Sequence, residues 1–298
     1  MTKSATKIDM YQEVTNAMIE LLETDLPQWK KGWKTRPVTN IFGGVNGSTG
    51  EFYKGVNRLI LAKAMINSDY KYNVWMTYKQ AQAKNLQVKK GAKSVRLAYY
   101  NVIEKENKEG DIETIPFLNS FCVFNISQMD GDISAITPDE DETLTPIAEN
   151  ETAKIIFANT DVKIEYGYNS ACYKPYIDTI CMPNASDFVN LDEQFATLGH
   201  ELVHSTGAEK RLNRQYGKKF GDTAYAREEL VAELGASFLC AEMGCLETTL
   251  TNHASYLKSW LQVLRADKRA IFKASADAQK AVNYILENWS QKKQPIAA

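Results

Sequence analysis

The chain has 298 residues, 44% of them hydrophobic and 24% charged, with a net charge of −2. This is the composition of a globular protein of one large or two ordinary domains, and no window approaches the roughly 20 apolar residues of a membrane span. The N-terminal "MTKSATKIDMYQEV" lacks the apolar core of a secretory signal, and the five cysteines (Cys122, Cys172, Cys181, Cys240, Cys245) form no CxxC pair. A cytosolic protein with reduced thiols is expected, and zinc held by cysteines is not.

The first predicted element is an amphipathic helix over "DMYQEVTNAMIELLET", where Met10, Val14, Met18, Leu21 and Leu22 recur at helical spacing. "LPQWKKGWKTRP" and "NIFGGVNGSTGEFYKGVN" follow as loops, the second a candidate mobile segment whose backbone could contact a ligand. "RLILAKAMINS" and "MTYKQAQAKNL" read as helices. "SVRLAYYNVIEKE" and "FLNSFCVFNIS" read as strands of a hairpin turned at "NKEGD". From Lys30 to Arg96 there are fourteen Lys/Arg against two acids, whereas residues 131 to 298 carry seventeen against twenty-four. Eleven aromatics between Trp29 and Tyr100 are interleaved with those basic residues. Cations that neutralise phosphates, beside rings that stack on unpaired bases, point to single-stranded DNA. The candidate contacts are Trp29, Lys30, Lys31, Trp33, Arg36, Lys54, Arg58, Lys89, Lys90 and Lys93. The competing reading places several aromatics, Trp75 and Tyr78 among them, in a core.

"DGDISAITPDEDETLTPIAENET", with eight acids, two prolines and no Lys or Arg, reads as a solvated linker. The expected organisation is therefore α+β in two domains, 1–132 and 151–298, joined by an acidic segment at 133–150. The second domain is read as a helix around Thr152–Thr160, strands near "VKIEYG" and "YKPYIDTICMP", and helices at about 190–206, 222–243 and 252–288.

Two of the three histidines fall in "FATLGHELVHSTG", a helix stopped by Gly207. His200 and His204 lie about 40° apart on one helix face and can aim at one point, with Glu201 about 100° round from His200. In H-E-x-x-H chemistry the two neutral imidazoles hold Zn²⁺, while the glutamate takes a proton from water and passes it to a leaving amine. A catalytic zinc needs a third protein ligand. The metzincin position is Lys210, a poor ligand. The alternative is an acid of "YAREELVAELGASFLC". Glu229 and Glu233 share a face with Ala226, Ala232, Ala236 and Cys240, small side chains that allow another helix close, whereas Glu228 points about 100° away, towards solvent. Glu229 is thus read as third ligand and Glu233 as the carboxylate orienting an imidazole, with the reverse assignment as the alternative. Zn²⁺ is the expected ion, with Mn²⁺ or another divalent ion also admitted. His253 reads as a helix-start residue, and Cys240 and Cys245 as core.

Eight segments carry a resemblance: "PQWKKGW", "TGEFYKGVNRLIL", "WMTYKQAQAKNLQVKKG", "FNISQMDG", "YKPYIDTICMP", "LGHELVHSTGAEKRLNR", "FGDTAYAREELVAELGASFLCAEMG" and "YLKSWLQVLRADKRAIFKASADAQKA". Through them the chain resembles the ArdC family of plasmid-borne antirestriction proteins along essentially its whole length. The resemblance implies an N-terminal domain that binds single-stranded DNA and a C-terminal zincin-like metallopeptidase domain. It also implies protection of incoming plasmid DNA from host restriction during conjugation. The family's metal pattern falls on His200, His204 and the "EELVAE" acids, and its catalytic glutamate on Glu201. Ser205 stands where an aromatic is frequent in the family. Three functions follow as expectations: a metal-dependent hydrolase, tethered to single-stranded DNA and attacking a host protein; a strand-coating protein with a structural or vestigial metal; and a nuclease. The last is disfavoured because two-metal nucleases use carboxylate-rich sites.

Overall fold

The computed structural model describes residues 9–24, 40–106, 112–137, 146–214, 223–245 and 254–290. The protein has two domains of mixed helix and sheet. Helix α1 (Met10–Thr24) buries Val14, Met18 and Leu22, the stripe its spacing predicts. The N-terminal domain then builds a four-stranded sheet in the order β1 (Val45–Asn46), β2 (Val74–Met76), β5 (Ile112–Asn125), β4 (Val95–Glu106). Strands β4 and β5 form the expected antiparallel hairpin, with Leu97 opposite Phe121; its "NKEGD" turn lies outside the described residues. Helix α2 (Val56–Ile66) packs on this sheet, and the short α3 (Tyr78–Ala83) starts at Thr77, whose side chain accepts from the Gln80 amide in a capping box. Strands β3 (Gln87–Val88) and β6 (Met129–Asp130) pair separately.

Two loop readings need correction. The glycine-rich segment expected to be mobile is stitched to the sheet: β1 runs parallel to β2, Gly47 donates to the Trp75 carbonyl at 3.1 Å, and Tyr53 donates to the Gly44 carbonyl at 2.8 Å. The middle of the acidic segment, 138–145, lies outside the described residues, but its end is packed rather than solvated. Ile147 is buried in a cluster with Ala153, Cys240 and Cys245, and the Ala148 amide donates to Asp192 at 2.9 Å.

The C-terminal domain contains α4 (Glu151–Asn159) and a three-stranded sheet in the order β7 (Lys163–Tyr166), β9 (Thr179–Met182), β8 (Cys172–Lys174). Its remaining helices are α5 (Leu191–Ser205), α6 (Thr223–Glu242), α7 (Ala254–Ala266) and α8 (Ala270–Trp289). The helix expected at 252–288 is two helices, because Asp267 turns the chain by accepting from the Arg269 amide at 2.8 Å; His253 lies outside the described residues. One core joins the domains: Val14 and Met18 of α1 and Leu59 of α2 belong to the same buried cluster as Leu230, Phe238, Val263, Ile271 and Val282. Arg58 of α2 reinforces the junction. It is fully buried, ion-paired with Glu242 of α6, and flanked by the Phe52 and Phe238 rings at 5.3 and 5.0 Å. No helix among the described residues is long and apolar enough to cross a membrane.

Candidate metal centre

Helix α5 is well specified at its start. Asn190 caps it by accepting from the Glu193 amide at 2.8 Å, and Asp192 and Glu193 complement the positive end of the helix dipole in its first turn. Its far end carries His200 and His204 on one face, ring centroids 4.8 Å apart. Helix α6 crosses there at unusually close range: a Cβ on Gly235 would lie 2.7 Å from Val203 Cγ1, so glycine is what the approach of the two backbones requires.

That proximity brings Glu229 between the imidazoles. Its Oε2 is 3.5 Å from His200 Nε2 and its Oε1 3.7 Å from His204 Nε2, and a ligand atom from each of the three residues lies within 4.8 Å of the others. Glu233 sits on the opposite side of His200, with Oε2 3.4 Å from Nδ1. The geometry therefore groups Glu229, and not Glu233, with the two Nε2 atoms. Glu228 differs from its sequence reading. It is buried, not solvent-facing: Oε1 lies 3.3 Å from His204 Nδ1, and both oxygens accept from Arg214 at 2.7 and 3.0 Å. The physical reason is that apolar or small residues are buried on every side of α6, Leu230 and Phe238 on one and Ala232, Leu239 and Cys240 on the other, so the wheel offers Glu228 no solvent face. Glu201 is also buried, and its Oε2 accepts from the Tyr173 backbone amide of β8 at 2.7 Å. Ser205 is buried with its hydroxyl donating to the Leu202 carbonyl.

The electrostatics follow from four carboxylates, Glu201, Glu228, Glu229 and Glu233, buried around two imidazoles. Burial by itself would depress both histidines, but the carboxylates outweigh it: Glu229 and Glu233 raise His200 to about 10, and Glu228 and Glu229 raise His204 to about 9. Burial pushes Glu229 upward, and the two histidines more than reverse this, holding it well below the usual carboxylate range. Arg214 offsets Glu228, and the remaining buried negative charge demands a further cation, either protons on the imidazoles or a divalent ion. Two imidazole nitrogens and a carboxylate oxygen suit zinc and its first-row neighbours. The residues present thus fit a divalent metal.

The basic candidates have different fates. Lys54, Lys89, Lys90 and Lys93 are exposed, Lys89 donating to the Ser127 carbonyl at 3.2 Å. Trp29, Lys30, Lys31, Trp33 and Arg36 lie outside the described residues. Arg58, turned inward to Glu242, cannot reach a phosphate. Of the aromatics, Phe42, Tyr53, Tyr72 and Trp75 are core, whereas Tyr78, Tyr99 and Tyr100 are exposed. Burial pushes the Tyr53 hydroxyl up to about 12.

Residues 8–124 match the family model of the N-terminal domain of anti-restriction factor ArdC, and residues 151–277 that of a zincin-like metallopeptidase. The uncharacterized protein y4eC of Sinorhizobium fredii is 32% identical over 288 residues, covering 94% of this chain and 92% of that protein. The DNA primase TraC of Escherichia coli is 33% identical over 299 residues, which is 94% of this chain but only 27% of the primase. The crystal structure of the antirestriction protein ArdC from plasmid R388 in its metal-free form is similar with a TM-score of 0.79, at 33% identity, over 96% of this chain and 100% of that one. Its Mn(II)-bound form gives 0.77 at 34% identity over the same shares.

Proposed function

We propose that this chain, which belongs to the ArdC family of antirestriction proteins, binds single-stranded DNA with its N-terminal domain and shields incoming conjugative plasmid DNA from host restriction. Its C-terminal site acts as a metal-dependent peptidase on a host protein in the cytoplasm. The domain boundaries are those read from the acidic segment, 1–132 and 151–298. The observation that carries the enzymatic part is the pairing of the His200–His204–Glu229 cluster with a separate buried carboxylate, Glu201, on the helix that bears both histidines. A purely structural metal has no use for that fourth group.

His200, His204 and Glu229 would hold the ion, Zn²⁺ by the chemistry of the donor set and Mn²⁺ as the ion seen in the R388 relative. When bound, a divalent ion supplies Lewis acidity and a nucleophile at neutral pH. Glu201 is fixed by the Tyr173 amide through Oε2, which leaves Oε1 to take the proton of an attacking water and return it to the leaving amine. Exposed Lys54, Lys89, Lys90 and Lys93, with Trp29, Lys30, Lys31, Trp33 and Arg36, supply the phosphate and stacking contacts to the strand.

The deciding experiment is plasmid transfer into restricting hosts with Glu201→Gln beside a charge reversal of Lys89 and Lys90. Glu201→Gln keeps size, imidazoles and the Tyr173 contact but removes the base. It should retain metal and strand binding and lose protection. Full protection by Glu201→Gln, with failure of the charge reversal, would mean that the protein works by occupying DNA.

A further inference from the structure

Past the end of α5 the chain folds back on the helix it has just left. The Gly207 amide donates to the His204 carbonyl, Leu212 to Thr206 and Asn213 to Ala208, and Asn213 adopts a left-handed conformation at φ +48°. The Arg214 amide then closes the turn on the Gly207 carbonyl at 2.9 Å. This places the Arg214 side chain, 8% exposed, along the last turn of α5. Every nitrogen of its fork is used: Nη2 donates to the Val203 carbonyl and to Glu228 Oε1, both at 2.7 Å, Nη1 to Thr206 Oγ1 at 2.7 Å, and Nε to Glu228 Oε2 at 3.0 Å.

Glu228 Oε1, the oxygen that Nη2 grips, is also the atom 3.3 Å from His204 Nδ1. A closed circuit results: the α5 backbone holds Arg214, Arg214 holds Glu228 on α6, and Glu228 faces back to an imidazole of α5. Without the fork, Glu228 would be a buried anion among three others, free to rotate away from His204 or to take a proton. The planar guanidinium fixes both carboxylate oxygens and the helix carbonyl together, which a lysine ammonium on a flexible stem does not.

We propose that Arg214 is a positioning residue of the metal centre: by holding Glu228 at two points from the end of α5, it fixes the His204 ring with Nε2 towards His200 and Glu229. The inference rests on the metal-site reading above and adds a residue outside the His–Glu–His set. Loss of such an outer partner lowers metal affinity by about ten- to a hundredfold.

The test uses the full chain, with Zn²⁺ and Mn²⁺ each titrated against a competing chelator, and melting of the metal-free proteins as a separate reading of the fold. Arg214→Gln, Arg214→Lys and Glu228→Gln should each weaken binding about ten- to a hundredfold. Arg214→Gln combined with Glu228→Gln should be no weaker than the worse single variant, because both break one circuit. Thr206→Val, which removes the hydroxyl that accepts from Nη1 and donates to the Val203 carbonyl but leaves both Arg214–Glu228 contacts, should bind metal like the parent. Parent-like affinity in Arg214→Lys or Arg214→Gln, even with a lower melting temperature, would reduce Arg214 to a helix cap and overturn the proposal. So would losses that multiply in the double variant. If Arg214→Gln does not fold, Arg214→Lys and the Glu228 background still decide. A parent that binds neither ion, or His200→Ala/His204→Ala that still binds one, would instead defeat the metal reading itself.

Discussion

Divalent-metal binding should tighten by up to about 10,000-fold between pH 6.5 and 8.5, far more than an ordinary two-histidine site allows. In the metal-free protein the buried carboxylates raise His200 to about 10 and His204 to about 9, so both rings carry protons across this whole range. A metal needs neutral imidazoles, and each displaced proton changes the apparent affinity about tenfold per pH unit. Two protons over two units give the figure; a pair titrating at the ordinary value near 6.5 would gain only about fourfold. The slope should fall to one proton between about 9 and 10 and then vanish. Stability must move consistently. Histidines whose folded values lie above the unfolded 6.5 stabilise the metal-free fold fully below pH 6.5, and that contribution is lost as pH rises through about 9 and 10. The melting-temperature gap between metal-loaded and metal-free protein therefore widens with pH over the same window. Calorimetric titration in buffers of different ionisation enthalpy counts the protons directly. Release of fewer than about one proton per metal at pH 7.5, or an affinity flat above pH 7, would refute the electrostatic account of the cluster.

Other parts of the molecule carry their own tests. Arg58→Ala leaves Glu242 without its buried partner and removes the cation between Phe52 and Phe238, so chemical denaturation should show a loss of about 3–5 kcal/mol; a loss below about 1 kcal/mol would mean that water reaches Glu242. Gly235→Val must push α6 off Val203, and metal affinity should fall along with about 1–3 kcal/mol of stability; unchanged affinity would show that the site tolerates separation of the two helices. Replacing Lys54, Lys89, Lys90 and Lys93 by Ala should lower the salt slope of single-strand binding by about 0.7 for each phosphate no longer neutralised, and an unchanged slope would move the DNA path elsewhere.

How far the site could be read from residues alone depended on whether each member is marked by spacing. His200, Glu201 and His204 are local on one helix, and Glu229 falls on the small-residue face of the next, so periodicity brings them together. Tyr173 contributes a backbone amide from a strand edge, which no side-chain pattern marks, and Arg214 returns through a turn set by Asn213. Glu228 was legible in principle: a helix apolar on every side buries its acids at every angle, and a buried acid next to a histidine motif needs a cation such as an arginine just after that motif. Arg58 teaches the same lesson for the fold. It stands in step with Leu61, Ala62 and Met65, at the i, i+3, i+4 and i+7 positions of the stripe that α2 buries, so its charge was bound to find an acid inside. Counting it with the exposed lysines follows composition where periodicity already pointed inward. The consequence bears on the site: its cation ties α2 to α6, the helix that also carries Glu228, Glu229 and Glu233, so the helix that supplies the metal centre's acids is anchored in the N-terminal domain as well.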